Sequence, residues 1–224
     1  MNGDLFAQAA EEIGLKLTSE QIQQFQQFED ALYKANEVMN LTRVPKEDCW
    51  QRHFLDSLLF QDLIPRHAFV LDIGTGPGFP SWPLACARPD IKITTIDSNG
   101  KMIGFLQQNE LPNLTNIQDR AENWKVNERF DFVTGRALAP LSTQLELSAR
   151  PCKIKGQIVP MRSESDRDLV QSVDLEPLGL EYVETIERPM PGTDITRLFP
   201  VYKKVAKTKH GFPRRWAEIK SYPL

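Results

Sequence analysis

The first part of the chain carries apolar residues at helical spacing. A capping pattern, Thr18-Ser19-Glu20-Gln21, precedes apolar residues that recur every three or four positions as far as Met39. This period places the apolar side chains on one face and predicts a helix that ends near Met39. Behind Pro45 a second helix is predicted, because three apolar residues share one of its faces: Trp50, Phe54 and Leu58. Pro65 ends this helical region.

From Phe69 onward, short apolar runs alternate with helical stretches. Seven strands are predicted at residues 69–73, 91–96, 115–118, 130–134, 156–161, 180–186 and 197–204. Helices are predicted between them at residues 80–87, 101–109, 141–149 and 166–173. Such alternation implies a parallel sheet that is covered on both faces. The loop between the last two strands contains Pro and Gly and suggests an antiparallel edge.

The pattern therefore predicts an α/β fold. Its sheet is seven-stranded and mostly parallel, with an antiparallel edge and an N-terminal helical extension. The predicted division of the chain is a helical extension at residues 1–64, a sheet domain at 65–206 and a basic C-terminal tail at 207–224.

Composition narrows the class of protein. With 41% hydrophobic and 25% charged residues, the chain is typical of globular proteins. No apolar run approaches the roughly 18 residues that span a bilayer, and the first residues lack the basic flank and apolar core of a secretory signal. The three cysteines are odd in number and widely spaced. We therefore expect a cytoplasmic protein without a disulfide framework or a bound metal.

Charge is distributed unevenly. The net charge of −3 argues against a large nucleic-acid footprint, yet the residues from Val201 onward hold seven Lys and Arg against one acid, Glu218. Two interpretations stay open for this segment. It is either a solvated, frayed tail or an arm that contacts phosphates, since Lys and Arg gain affinity by releasing counterions.

A glycine-rich loop follows the first predicted strand. In the sequence LDIGTGPGFP, alternate positions hold Asp72, Gly74, Gly76 and Gly78. Glycine has no Cβ, so backbone N–H groups of such a loop can approach a ligand closely. Dinucleotide-binding loops read G-x-G-x-x-G, but Phe79 stands where their third glycine belongs. The D-x-G-x-G-x-G spacing instead resembles the first motif of S-adenosylmethionine-dependent methyltransferases.

Three further loops are predicted at the same edge of the sheet, where ligands of such folds bind. Asp97 follows Gly78 by 19 residues, the spacing of a ribose-binding acid; the alternative is a helix cap. Ala121 and Glu122 follow the third strand and are candidate adenine contacts, although Glu122 alone would be an ordinary surface acid. Arg136 follows the fourth strand and either faces the methyl acceptor or pairs with an acid.

Several short blocks together resemble the bacterial RsmG family, also called glucose-inhibited division protein B, over about residues 15–204. The blocks are Asn40-Leu41-Thr42, Arg52-His53-Phe54-Leu55-Asp56-Ser57, GTGPGFP, Asp97-Ser98, Lys101, Arg120-Ala121-Glu122 and Gly135-Arg136-Ala137. The resemblance implies a Rossmann-like methyltransferase sheet and direct in-line methyl transfer from S-adenosylmethionine to guanine N7 of 16S ribosomal RNA. The substrate would be this RNA or the small ribosomal subunit, and the enzyme a monomer that uses no metal.

The resemblance also implies site residues. The implied cofactor contacts, with the acid and glycines of the loop, are Asp72, Gly74, Gly76, Gly78, Phe79, Asp97, Ser98, Asn99, Ala121, Glu122 and Arg136. Arg136 is the candidate catalytic residue as well. The RNA-binding candidates are Arg52, His53, Lys101, Arg120 and Arg162. The chain departs from the family pattern on the RNA-facing side, at Ser81-Trp82, Met102 and Arg162.

His53 and Asp56 lie three positions apart and can touch on one helical face. Such a pair invites a general-base interpretation. Guanine N7, however, carries a lone pair and no proton, so its methylation needs no base to start. We therefore favour a structural or RNA-positioning role for the two residues.

Three other functions remain open from the residues alone. A small-molecule methyltransferase would turn over without RNA, and a non-catalytic S-adenosylmethionine- or RNA-binding module would not turn over at all. A nicotinamide-dependent oxidoreductase is disfavoured by the glycine spacing.

Overall fold

The computed structural model describes residues 1–224, and its first two helices are α1 (Gly3–Glu12) and α2 (Ser19–Met39). The predicted capping box is present. Thr18 Oγ1 accepts a hydrogen bond from the Gln21 backbone N–H at 3.2 Å, and Gln21 Oε1 accepts one from the Thr18 N–H at 2.9 Å. These two bonds fix the start of α2. The prediction of a helix from Thr18 to Met39 is thus confirmed.

The second predicted helix has the expected place but another geometry. A 3₁₀ turn (Lys46–Asp48) leads into a π-helical turn (Trp50–Leu55), which continues as the short helix α3 (Asp56–Leu58). The wider π turn removes the regular four-residue spacing on which the prediction rested. It buries His53 together with Asp56, so both polar side chains lie inside the molecule.

The sheet has eight strands, in the order β3-β2-β1-β4-β5-β8-β6, with β7 paired to β8. The strands are β1 (Phe69–Ile73), β2 (Lys92–Asp97), β3 (Leu114–Gln118), β4 (Phe130–Thr134), β5 (Cys152–Ile158), β6 (Arg162–Ser163), β7 (Leu180–Pro189) and β8 (Thr196–Lys204). The first five are parallel, and β8 runs antiparallel to β5, β6 and β7. The mostly parallel sheet with an antiparallel edge is as predicted; the eighth strand is the two-residue β6.

The remaining helices are α4 (Ser81–Ala87), α5 (Gly100–Gln107), α6 (Leu141–Ala149) and α7 (Trp216–Ser221). Two predicted elements were wrong in detail. The strand expected at 156–161 begins at Cys152, because a register irregularity against β4 admits extra residues. The helix expected at 166–173 is a 3₁₀ segment (Glu164–Leu169), where only the following Val170 is buried. Helix α7 was not predicted.

Two apolar clusters cover the faces of the sheet. One joins the N-terminal helices to α4 and α5, and Phe28 stacks on Trp82 with ring centroids 3.9 Å apart. The other joins α6 to the opposite face and includes Ile219 of α7. The N-terminal helices therefore share a core with the sheet, and the division at residues 64 and 206 stays a prediction.

Two composition-based expectations can be compared with the structure. All three cysteines are buried and free. None of the helices combines the length and the apolar character needed to cross a membrane.

Candidate functional site

The glycine loop lies beyond the end of β1, where the strand order reverses between β1 and β4. Its three glycines have φ values of 70° (Gly74), 56° (Gly76) and 112° (Gly78), in the left-handed region that favours glycine. A Cβ at Gly74 would collide with Leu138, whereas a Cβ at Gly76 would meet open space within 4 Å. The loop thus opens a gap at Gly76 at the edge where ligands of such sheets bind.

Asp97 ties this loop to the end of β2. Its carboxylate accepts hydrogen bonds from the Gly76 N–H at 2.9 Å and from the Asn99 N–H at 2.8 Å. The cap of α5 is Asn99, whose Oδ1 accepts from the Lys101 N–H at 3.0 Å. The helix-capping alternative therefore belongs to Asn99, and the ribose contact of Asp97 stays a prediction.

A cavity of about 260 Å³ lies between the glycine loop and the ends of β2 and β3. We call it the nucleoside cavity. It brings together the predicted residues Gly74, Asp97, Ser98, Ala121 and Glu122. Arg120, a predicted RNA contact, lies here as well and donates from Nε to Glu122 Oε1 at 2.5 Å. The cavity is also lined by Leu138, Leu147 and Trp216, which the sequence did not indicate.

Asp72 lies under the glycine loop and is fully buried. Neither of its carboxylate oxygens has a hydrogen-bond partner. The nearby hydroxyls of Thr75 and Ser81 form a hydrogen bond with each other at 2.6 Å. Burial raises the pKa of Asp72 to about 6, although Thr75, Ser81 and Arg136 act in the opposite direction. An unpaired carboxylate at such a depth favours a cationic partner.

A second cavity of about 490 Å³ lies on the other side of the loop that follows β4. We call it the arginine cavity, because four of its lining residues are Arg52, Arg136, Arg162 and Arg197. Arg136 is anchored from three sides. Its guanidinium donates to Asp56 Oδ2 at 3.0 Å and to the Arg52 carbonyl oxygen at 3.1 Å, and it contacts His53 Nδ1 at 2.9 Å. Burial lowers the pKa of Arg136, and Asp56 opposes that effect.

His53 is engaged at both ring nitrogens. A guanidinium only donates, so His53 Nδ1 accepts from Arg136, and the Nε2–H must then donate to Thr42 Oγ1 at 2.7 Å. Burial, followed by the charges of Arg136 and Arg52, lowers the pKa of His53 to about 3. The imidazole is therefore neutral near pH 7 and has no free lone pair, which agrees with a positioning role rather than that of a base.

Asp56 holds two arginines at once. Besides Arg136, it accepts from Arg197 Nε at 2.6 Å, and its own side chain is 1% exposed. Arg197 lies on β8 and was not predicted as a site residue. A single charged residue on an antiparallel strand is common and does not indicate a site. Arg162, a predicted RNA contact, uses much of its guanidinium for bonds within the protein. It donates to Asp166 Oδ2 at 2.9 Å and to the Ala139 carbonyl oxygen at 2.9 Å.

Phe79 forms the floor of this cluster. Its ring stacks on His53 with centroids 4.2 Å apart and planes 7° apart, and the Arg136 guanidinium lies 5.1 Å from the Phe79 centroid. The side chain is thus buried under His53 and lines neither cavity. Lys101 is exposed at the start of α5 and lines neither cavity either.

The loop Arg136–Ala139 separates the two cavities. Arg136, Ala137 and Ala139 line the arginine cavity, whereas Leu138 lines the nucleoside cavity. Ala137 adopts φ 52°, a conformation unusual for a residue with a Cβ. Two ligands held in these cavities would face each other across a single stretch of backbone. Direct transfer of a group between two such ligands requires that their reacting atoms meet at an edge of this loop.

The structure contains no group of three or more His, Cys, Asp or Glu side chains that could hold a metal ion. A larger cavity of about 670 Å³ lies elsewhere, between Asn127, Arg150 and residues 207–213. It contains none of the predicted site residues, so we place the site at the two smaller cavities.

The family model for rRNA small subunit methyltransferase G, GidB, matches residues 21–184. A curated relative of that name from Limosilactobacillus reuteri (strain DSM 20016) is 36% identical, over 96% of this chain and 96% of its own. Another from Clostridium beijerinckii is 32% identical, over 99% of this chain and 98% of its own.

Solved structures with the same architecture are more distant. TYW2 of M. jannaschii in complex with AdoMet aligns with a TM-score of 0.55 and 15% identity, over 70% of this chain and 78% of its own. The TehB-like SAM-dependent methyltransferase from Corynebacterium glutamicum aligns with a TM-score of 0.55 and 18% identity, over 78% of this chain and 98% of its own. At these identities the likeness shows a shared α/β methyltransferase fold.

Proposed function

The chain belongs to the rRNA small subunit methyltransferase G family, GidB, and on that premise we propose that it methylates guanine N7 of 16S ribosomal RNA with S-adenosylmethionine. The observation that carries the proposal is the pair of cavities on either side of Arg136–Ala139. One cavity would hold the methyl donor and the other the target guanine. Family membership does not favour the small-molecule or non-catalytic alternatives.

The residues present fit S-adenosylmethionine. The donor carries an ammonium and a sulfonium cation, and Asp72 is a buried carboxylate without a partner. At Gly76 the backbone is open, with no protein atom within 4 Å of where a Cβ would stand, so a ligand could approach its N–H closely. We assign ribose binding to Asp97 with Ser98, and adenine binding to Ala121 with Glu122. When bound, S-adenosylmethionine supplies an electrophilic methyl group.

On the acceptor side, the arginine cavity offers donors to an electron-rich base. Guanidinium groups form paired hydrogen bonds with the guanine edge or with phosphate. We propose that Arg136 contacts the guanine edge and that Arg52 contacts the RNA backbone, since its side chain is 51% exposed and its Asp48 partner lies 3.6 Å away. The N7 lone pair needs no base. Catalysis would come from placing the two reactants together.

The first test measures transfer of label from tritiated S-adenosylmethionine to 16S RNA or small subunits that lack the modification. We expect transfer to RNA by the wild-type chain and a loss of about 100-fold for Arg136→Gln. The matched control is Arg66→Gln, an exposed arginine that lines neither cavity. Wild-type rates for Arg136→Gln, with its thermal midpoint measured in parallel, would remove Arg136 from the mechanism.

We further propose that the protein acts as a monomer in the cytoplasm. One chain supplies both cavities, and ribosomal RNA is the substrate assigned above. Sedimentation of the purified protein at micromolar concentration should give the mass of a single chain. A dimer at that concentration would contradict the proposed oligomeric state.

A further inference from the structure

The C-terminal segment folds back onto the sheet domain instead of extending into solvent. Ile219 of α7 is 1% exposed and belongs to the apolar cluster under α6. The backbone N–H groups of Val205 and Ala206 donate to the Gly179 carbonyl, at 2.9 and 3.2 Å. These contacts are not those of a frayed tail, and the phosphate-contacting alternative stays a prediction. The function proposed above does not use this segment.

We propose that Trp216 is a cofactor-binding residue, which covers the adenine end of the nucleoside cavity. The inference rests on the proposed function, because the ligand is taken to be S-adenosylmethionine. Trp216 lines that cavity together with Ala121, Glu122 and Leu138. Trp216 is the first residue of α7, a helix that follows the last strand of the sheet.

The surroundings of Trp216 suit a flat heteroaromatic ligand. The residue is 36% exposed, although indole is a large apolar group that gains from being covered. The Arg120 guanidinium lies 5.5 Å from the ring centroid and is itself held by Glu122. Arg120 is thereby turned toward Trp216 at the cavity wall. Stacking of bases on aromatic side chains is a general source of affinity.

A buried ion pair fixes the position of Trp216. Arg214 donates from Nη2 to Glu146 Oε2 at 2.6 Å and from Nε to Oε1 at 3.0 Å, and its backbone N–H reaches Oε1 at 2.8 Å. The Glu146 side chain is 1% exposed, so losing this partner would leave a buried charge unpaired. Trp216 follows Arg214 by two residues, so the ion pair anchors to α6 the short stretch of backbone that carries the indole.

The test is calorimetric binding of S-adenosylhomocysteine to the full chain. We expect Trp216→Ala to weaken binding about tenfold and Trp216→Phe to retain most of it, because phenylalanine keeps an aromatic face. The matched control is Tyr222→Ala, since Tyr222 lies on the same segment, is 75% exposed and lines neither cavity. Its affinity should equal that of the wild type.

A fluorescence measurement on Trp216→Phe gives a second readout, which does not require the alanine variant to fold. The indole emission of the wild type should change on binding, and Trp216→Phe should lose that change while keeping its thermal midpoint. If the wild type binds but Trp216→Ala binds equally well, or Trp216→Phe keeps the full emission change, the inference is overturned and the proposed function stands. If the wild type binds no S-adenosylhomocysteine, both are overturned.

Discussion

Single buried charges set the chemistry of the site. Asp56 pairs with both Arg136 and Arg197 and so holds two guanidinium groups at the rim of the arginine cavity. Asp72 has no such partner inside the protein. His53 is kept neutral, with one nitrogen accepting from Arg136 and the other donating to Thr42. The first carboxylate is therefore structural, whereas the second lies buried beneath the glycine loop without a cationic partner.

Binding of S-adenosylhomocysteine should depend on the ionisation of Asp72. Its pKa is raised to about 6, so the carboxylate takes up a proton as the pH falls below that value. The amino and carboxyl groups of the ligand keep their charges between about pH 4.5 and 7. If only the ionised form binds the ligand ammonium well, affinity should fall about tenfold from pH 7 to pH 5.

The measurement is calorimetry at several pH values on the wild type and on Asp72→Asn. The variant should bind more weakly at pH 7 and show a flat profile, because an amide does not titrate. Asp131→Asn is the control, since Asp131 lies on the neighbouring strand and has a lowered pKa. An Asp72→Asn profile as steep as that of the wild type would assign the pH dependence to another group.

His53 should make folding less stable in acid. The unfolded chain takes up this proton near the ordinary pKa of about 6.5, and the folded chain only near 3. Between these values the unfolded state binds more protons, so the contribution of His53 is complete above 6.5 and is lost as the pH falls. By pH 5 the loss should be about 2 kcal/mol.

Urea unfolding of the wild type and of His53→Asn from pH 7 to pH 5 tests this expectation. The difference between the two curves isolates His53. It is needed because Asp72, with a raised pKa, contributes in the opposite direction over part of the same range. Parallel curves for the two proteins would show that His53 has the same pKa in the folded and unfolded states, against the lowered pKa expected here.

Among the elements, the glycine loop was predicted from a local pattern, whereas the burial of α6 depends on contacts distant in sequence. The loop followed from spacing alone, because glycines at alternate positions have few other uses. Helix α6 was predicted at its correct bounds, and all nine of its residues are buried, including the charged Glu146. Its Glu146 is covered by Arg214, 68 positions away. A local pattern does not contain a contact of that range.

The same limit explains the other errors. The π-helical turn at Trp50–Leu55 is stabilised by packing of Phe54 against Phe25, with ring centroids 5.0 Å apart, and not by a local signal. Arg197 reaches Asp56 across 141 positions. By contrast, β1 and β4 were predicted from their apolar runs, because central strands that are buried on both faces are almost continuously apolar.

Gly76 should be needed for the ligand more than for the fold. Alanine at φ 56° is strained and should cost about 1–2 kcal/mol of unfolding free energy. Its Cβ meets no protein atom within 4 Å and would occupy the gap left for the ligand. We therefore expect Gly76→Ala to lose measurable binding of S-adenosylhomocysteine while remaining folded at 25 °C.

The matched substitution is Gly104→Ala in α5, where a Cβ also meets nothing within 4 Å but the backbone is helical. It should raise the unfolding free energy by about 1 kcal/mol and leave binding unchanged. Urea titration and calorimetry on both variants give the comparison. Full affinity in Gly76→Ala would place the ligand away from the glycine loop.

At the scale of the whole molecule, three parts of the chain build one site. The N-terminal helical region supplies His53 and Asp56, the sheet supplies both cavities, and the C-terminal segment supplies Trp216. The sequence predicted the sheet and five residues that line the nucleoside cavity as cofactor contacts: Gly74, Asp97, Ser98, Ala121 and Glu122. It did not predict that Trp216 lines this cavity, because the basic composition of the last residues gave no sign of a packed helix.

We propose above that the two cavities bring a methyl donor and a guanine of ribosomal RNA together for methyl transfer. The most direct test of this proposal is to treat small subunits lacking the modification with the protein and S-adenosylmethionine, and then to map the methyl group by mass spectrometry of the digested 16S RNA. We expect one methyl group, on N7 of a single guanine. A methyl group on another base or another guanine atom, or no RNA methylation by folded protein, would contradict it.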